Sequence, residues 1–593
     1  MFGLVSILVI GPGCQRTAVP GRPETSAQIS HTDDALGGTS SNETIPRTKP
    51  EPEGRGTSDV ARSKIRFTDR TENSGVNFVY RNGKEMEQFA ILETLGGGVG
   101  FVDYDQDGDV DLFFTGGGSF DSDARPHGRA GALYRQIDPW QFVPVTESAG
   151  VASTARYTHG VAAGDADNDG FPDLLITGYG GLLFFQNQGD GTFVECAVES
   201  GLTDSLWSSS AAWGDLNQDG ILDLYIAHYV NWSPENNPVC AEYLGNRRDV
   251  CAPRSYDPLP DTLYFGQGDG TFRDGTSEAG ISAVGKGLGV LVADMNLDGR
   301  QDIYVANDTV PNFLFCNLGG GRFEDISVSS GTAVSDRGTP EGSMGVDVGD
   351  FNLDGLPDLW VSNFEDETFS LYRNYGGGIF RHVSRPMGVA AVGSHFVGWG
   401  TVFFDVDSDG DEDVFVSNGH VVHYPKAAPM RQVPLLFENL AGKRFEDVAG
   451  RAGDWMASPH AGRGCAAGDL DQDGDLDLVV SAMNEPVSLV SNETTPAQHW
   501  LEVRLIGISS SRDACGARIV VRTGSGTQSR QVKGGGSYAS TSDVWLHFGL
   551  GQSPEIDELE IVWPSGAAQK LTGVSADRRH VFYEPSEPRV LPP

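Results

Sequence analysis

Seven short apolar runs recur along the chain, each directly after an aspartate: Leu112-Phe-Phe114, Leu174-Leu-Ile176, Leu224-Tyr-Ile226, Ile303-Tyr-Val305, Leu359-Trp-Val361, Val414-Phe-Val416 and Leu478-Val-Val480. Runs of this length, rich in β-branched and aromatic residues and flanked by turn formers, predict buried strands. Five of them are followed by a second pattern, in which an apolar triplet, a Gly-rich turn and a closing Phe span 183–193, 263–272, 314–323, 371–380 and 436–445. Such hairpins need turn residues that tolerate positive φ, and the 78 Gly of the sequence supply them. Nothing in the pattern predicts a long helix, so an all-β fold is expected.

The acidic segment ahead of each run reads Asp-x-(Asp/Asn)-x-Asp-Gly-x-x-Asp. Its candidate metal-binding residues are Asp103, Asp105, Asp107, Asp109 and Asp111 in loop 1; Asp165, Asp167, Asp169, Phe171 and Asp173 in loop 2; Asp215, Asn217, Asp219, Ile221 and Asp223 in loop 3; Asp294, Asn296, Asp298, Arg300 and Asp302 in loop 4; Asp350, Asn352, Asp354, Leu356 and Asp358 in loop 5; Asp405, Asp407, Asp409, Asp411 and Asp413 in loop 6; and Asp469, Asp471, Asp473, Asp475 and Asp477 in loop 7. Side-chain oxygens at positions 1, 3, 5 and 9, with the backbone carbonyl at position 7, are spaced to wrap a hard cation, and Gly at position 6 permits the sharp turn. The set predicts calcium, up to seven ions: magnesium demands a stricter octahedron, and zinc prefers His and Cys ligands, which these loops lack. An EF-hand would carry Glu at position 12 between helices, whereas position 12 of loop 1 is Phe114 in a strand pattern. Asp and Asn also suit turns unaided. However, positions 1, 3, 5 and 9 hold four carboxylates in loops 1, 2, 6 and 7 and three in loops 3, 4 and 5, and charges so crowded repel unless a divalent ion lies among them.

The loops recur at intervals of 62, 50, 79, 56, 55 and 64 residues, enough for a four-stranded unit plus variable connections. Seven such units predict a seven-bladed β-propeller over 63–495. Phe67-Thr-Asp69 matches the strand after each hairpin, as in Phe323-Glu-Asp325, while the last unit stops at Leu489-Val-Ser-Asn492. The first strand would therefore complete the last blade and remove the exposed edges. Residues 496–586 alternate in strand fashion at 500–505, 517–522, 544–548 and 559–563, predicting a small β-sandwich-like domain, with 587–593 as a tail. Tyr538 and Trp563 in that domain fit core packing better than sugar stacking.

Charge and the chain ends narrow the setting. A net charge of −40 argues against nucleic acid, which needs clustered Lys and Arg. The apolar run at 2–10 is too short to span a bilayer and suits a signal peptide over 1–14. Gly13-Cys14 suggests lipidation and membrane attachment there, although Gly11 stands where lipoprotein signals carry Leu and no Lys or Arg precedes the run. Residues 15–62, rich in Ser, Thr, Pro and Gly, read as a disordered linker. Cys240 and Cys251 bracket an irregular insertion and are the pair expected to close it in an oxidising compartment; Cys196, Cys316, Cys465 and Cys515 read as buried free thiols.

The loops and hairpins together resemble the FG-GAP/VCBS repeats of integrin α-subunit heads and related secreted proteins. The tail, through Gln498-His-Trp-Leu-Glu-Val-Arg-Leu-Ile-Gly507, Gly516-Ala-Arg518, His547-Phe-Gly-Leu-Gly551 and Val562-Trp-Pro-Ser-Gly566, resembles the ASPIC/UnbV domain. The combination is similar to the cartilage acidic protein family and its bacterial relatives, and the Cys14 leader suggests a bacterial envelope member. That resemblance implies calcium binding, an extracytoplasmic location (secreted, periplasmic or lipoprotein) and adhesion or interaction with a protein or glycan ligand. The expected molecule is a monomer and not an enzyme. Propellers also carry catalytic sites; the candidates would be His159, His420, His423 and His460, helped by Asp308, Glu341 or Glu365, and convergence of several of these in one pocket would favour a hydrolase or lyase. Neither a Gly-x-Ser-x-Gly elbow nor a His-Glu-x-x-His motif accompanies them. A purely structural surface protein is the third reading.

Overall fold

The structure is a computed structural model that describes residues 64–242, 245–426 and 428–585; the leader, Cys14, the linker and the tail fall outside them. Among the described residues the fold is almost entirely β, with a single four-residue α-helix at Ser327–Ser330. Each predicted apolar run is the second strand of an antiparallel sheet, four-stranded in six cases and five-stranded around Ile303–Val305, where Gly534–Gly535 adds a strand at the inner edge. The innermost strands of these seven sheets are Val99–Val102, Tyr157–Gly164, Ser208–Gly214, Gly287–Ala293, Val346–Gly349, Gly398–Phe404 and Gly462–Gly468, here blades 1 to 7 in order. They pack side by side in a closed cycle, blade 7 returning to blade 1. The fold is a β-propeller. Phe67–Asp69 forms the fourth strand of blade 7, pairing antiparallel with Ser488–Asn492 in the register Phe67 to Asn492, as the sequence pattern suggested.

Chain direction sets the two faces of the ring. Every acidic loop joins a first strand to a second, so all seven emerge at the same end, together with the Gly-rich hairpins between third and fourth strands. Connections between second and third strands lie at the opposite end. Between neighbouring blades the apolar faces of adjacent sheets meet, as Leu175, Phe184, Trp213, Leu224 and Phe272 do between blades 2 and 3.

The C-terminal domain stacks a three-stranded sheet, containing His499–Ile506, on a four-stranded sheet, containing Arg518–Thr523, around Leu501, Ile519, Phe548, Ile561 and Trp563. It sits on the acidic-loop end. From it the segment 534–543 enters the ring's centre and bonds to all seven innermost strands. Thr541 exchanges backbone hydrogen bonds with Val99 and Phe101, Val161 donates to Ala539, Gly536 donates to Val290, and Val346 donates to Ser537. Ala539 donates to the Ser210 hydroxyl, Thr401 to the Ser537 hydroxyl, and that hydroxyl to the Cys465 carbonyl. At the tip Tyr538 is fully buried, 4.7 Å from the Trp399 ring, and its hydroxyl accepts from Gly96. Both Tyr538 and Trp563 are core residues. The other end of the channel is filled by Ala90, Ile91, Leu92 and Leu95 and by Trp232, Val250 and Tyr256 of the insertion in blade 3, so the centre of the ring is a packed core. Cys240 and Cys251 are joined within that insertion. Cys465 and Cys515 are free and buried, Cys196 and Cys316 free and half-buried.

Candidate metal centres and the opposite face

All seven acidic loops share one backbone. Position 4 is left-handed in each (Gln106, Asn168, Gln218, Leu297, Leu353, Ser408, Gln472; φ from 54° to 64°), and the Gly at position 6 has φ from 82° to 103°. A side chain at position 6 would be strained there, which accounts for the invariant glycine. In six loops the position 1 carboxylate accepts from that Gly N–H, at 2.7–3.0 Å. The position 9 aspartates do more than the sequence reading assigned them. One oxygen of each accepts a backbone N–H from the third strand: Gln136, Asn187, Gly266, Asn317, Asn374, Asn439 or Asn492, at 2.6–3.0 Å. Burial, the leading cause, pushes Asp111 and Asp358 up to about 9 and Asp173 and Asp223 up to about 8.

The loops separate into two groups. In loops 1, 2, 6 and 7, ligand oxygens of three carboxylates converge within 4.8 Å: Asp103, Asp105 and Asp111; Asp165, Asp167 and Asp169; Asp405, Asp407 and Asp413; Asp469, Asp471 and Asp477. Among the seven loops, these same four hold buried carboxylate oxygens without a hydrogen-bond partner, on Asp103, Asp105, Asp165, Asp411 and Asp471; outside the loops Glu502 and Asp543 each carry one as well. Orphaned acceptors of this kind, with oxygen the only donor atom, fit a hard divalent cation. In loops 3, 4 and 5 position 3 is Asn and the position 5 carboxylate finds a donor within the protein: the Asn217 amide on Asp219, Arg300 on Asp298 and Arg373 on Asp354. Loop 1 also has such a donor, since Arg135 lies 2.8 Å from both Asp105 and Asp107. Loop 6 is the most crowded: Asp405, Asp407, Asp411 and Asp413 are all buried, and burial followed by mutual repulsion pushes Asp411 up to about 8.

Two features invisible to the sequence reading frame these loops. First, an Asn at the end of the third strand clamps the loop of the preceding blade: Asn187 donates to Tyr104 O, Asn317 to Leu216 O, Asn374 to Met295 O, Asn439 to Phe351 O and Asn492 to Val406 O, at 2.7–2.9 Å. Gln136 does the same across the ring closure, to Leu470 O at 2.6 Å. The recurring Asn in the hairpin pattern was the available signal. Second, arginines of the C-terminal domain stand over position 1: Arg504 is 3.6 Å from Asp103, Arg512 3.8 Å from Asp165 and Arg579 3.4 Å from Asp469.

The candidate catalytic histidines are scattered. His159 is buried beside the Tyr80 hydroxyl, and burial pushes it down to about 3. His460 stacks on Trp455. His420 and His423 do meet at one cavity on the face opposite the acidic loops, His420 lying 3.2 Å from Glu365 and His423 3.3 Å from Glu93. His420 Nδ1 accepts from Val421 and Val422, and its Nε2 lies 3.2 Å from Glu365. Asp308 accepts from the Tyr229 hydroxyl and Glu341 from Asn363 and Ser370, away from that cavity.

Family comparison agrees with this geometry. An FG-GAP-like repeat matches residues 103–176, 165–226, 246–305, 294–361 and 350–416, and ASPIC and UnbV matches 507–589. This is an FG-GAP-repeat, ASPIC/UnbV protein. It is similar to mouse (Mus musculus) cartilage acidic protein 1, 26% identical over 493 residues that cover 73% of this chain and 74% of that one. Human (Homo sapiens) cartilage acidic protein 1 is 27% identical over 442 residues, 71% of this chain, and the match spans only 62% of the human protein. Among solved structures, an Agrocybe aegerita lectin that recognises non-reducing terminal N-acetylglucosamine aligns with 66% of this chain and 87% of its own, at 16% identity and a TM-score of 0.37. No helix among the described residues of the FG-GAP protein is long and apolar enough to cross a membrane.

Proposed function

We propose that this protein is an extracytoplasmic, calcium-binding propeller that serves as an interaction scaffold for a protein or glycan ligand. The observation that supports it most is loop 6, where four aspartates are buried together and an oxygen of Asp411 has no partner. Such a cluster is tolerable at neutral pH when a cation shares it. Asp405, Asp407 and Asp413, with the position 7 carbonyl of Asp411, would hold the ion, which would supply charge neutralisation and rigidity. Loops 1 and 7 offer sets at the same positions and loop 2 a set at positions 1, 3 and 5, so the geometry favours four ions over the seven expected from the motif count. The Cys240–Cys251 disulfide supports an oxidising compartment. A packed centre supports a role for the rim and outer surfaces.

Dialysis against a calcium chelator followed by thermal unfolding tests this reading. Melting should fall by several degrees, recover with calcium and recover poorly with magnesium. Bound calcium measured by elemental analysis should lie nearer four than seven per chain. Unchanged melting after chelation would remove the metal from the proposal, and failure to capture any protein or glycan with calcium present would remove the scaffold role.

A further inference from the structure

The face opposite the acidic loops holds an open cavity of about 870 Å3 between blades 6, 7 and 1. In a chain of net charge −40, five cations line it: Arg81, Lys84, Arg129, Arg431 and Arg463. Two have carboxylate partners, Arg129 with Glu85 at 3.7 Å and Arg431 with Glu485 at 2.5 Å. Arg81, Lys84 and Arg463 have none within ion-pair distance among the described residues.

Arg463 is the informative one. Its side chain is almost fully buried against the Trp399 ring, 4.5 Å from the centroid. It donates to the carbonyls of Thr94, Gly419, Gly462 and His420 at 2.8–3.2 Å. A guanidinium has five N–H groups, so one on Nη2 remains unspent. Burying a cation without an anion is costly, and burial pushes this guanidinium down to about 10. The carbonyls hold its plane in place, and a carboxylate arriving from the cavity would supply the missing charge. Beside it, Asn82 and Asn484 and the carboxylates of Glu93 and Glu485 line the same space, offering donors and acceptors together, as a polyhydroxylated ligand requires. The strongly negative chain repels polyanions, so the ligand carries few charges.

We propose that this cavity binds a small sugar acid, a uronate- or sialate-bearing saccharide, whose carboxylate is held by Arg463, Arg81 and Lys84. The proposal rests on the scaffold reading and names its ligand-binding face. It is tested with the full chain in saturating calcium on an array of uronate- and sialate-bearing oligosaccharides printed beside their neutral parents. Acidic members should bind at least about tenfold more tightly than the neutral ones, with an affinity that falls as salt rises. Substituting the two exposed cations together, Arg81→Gln with Lys84→Gln, should weaken that binding about tenfold and leave melting unchanged. Equal binding of neutral parents, acidic binding indifferent to the double substitution, or no acidic member bound would each overturn it. Should a calcium-dependent pull-down still capture a protein in the last case, the scaffold reading stands and this inference alone falls.

Discussion

At position 9 of the acidic loops one aspartate does two jobs: it presents an oxygen to the loop and fastens the loop to the third strand. The Asn beside that fastening reaches on to the neighbouring blade. Asn439→Ala would strip Phe351 O and Glu412 O of bonds of 2.7 and 3.0 Å in a buried setting. Leaving such carbonyls unsatisfied costs about 1–3 kcal/mol, which denaturant unfolding at saturating calcium would register. A second residue-scale prediction concerns pH. Glu341 and Glu367, on the face away from the loops, are raised to about 7 and about 8, mainly by burial. The folded state therefore holds their protons where the unfolded chain, titrating near 4.5, has released them. Their contribution is complete below about pH 4.5 and is lost as pH rises through 7 to 8. Glu367→Gln should flatten that part of the melting-temperature profile, since the amide oxygen can still accept from Gly342 and Phe364. A profile as steep as the parent's would contradict the assignment.

Among the elements, strands and acidic loops were legible because their residues carry a period and a spacing. Aspartates at fixed offsets and an obligatory glycine leave a sequence trace that needs no partner. The central segment leaves none. Gly534-Gly-Gly-Ser-Tyr-Ala-Ser-Thr541 reads as a flexible turn until its backbone is seen against seven strands, because main-chain hydrogen bonds and close approach are made by residues of any type or of none. Its glycines are small for a reason: a Cβ on Gly534 would lie 1.7 Å from the Trp213 carbonyl. Gly534→Ala should accordingly lower the melting temperature sharply, whereas Gly524→Ala, at an open hairpin turn where a Cβ meets nothing within 4 Å, should not. Equal effects would mean the segment tolerates displacement. The arginines over the loops were hidden for a related reason, since Arg504, Arg512 and Arg579 are distant in sequence from the aspartates they face.

For the whole molecule, the sequence orders the propeller before the C-terminal domain and leaves open how the two pack. The structure makes them interdependent, the second domain closing over the acidic loops of the first and filling its axis. A chain ending at residue 495 should therefore unfold at lower temperature than the full chain and bind calcium more weakly, because Thr401, Val346 and their counterparts lose buried partners. Equal melting of the two would show that the ring stands alone. The candidate ligand side is consistent with this arrangement: with the C-terminal domain over the acidic loops and the axis packed, the opposite face of the ring remains open to a partner.

The strand that seals the ring is made first, at Phe67–Asp69, and its mate at Ser488–Asn492 comes more than four hundred residues later, with the axial segment after that. A ribosome reading this message builds the wheel as an open arc, joins its rim near the finish, and fits the axle last. Throughout synthesis of the blades the apolar flanks of the first and latest blades stay uncovered, so the nascent chain is open to wrong partners for as long as the arc has not met its own beginning.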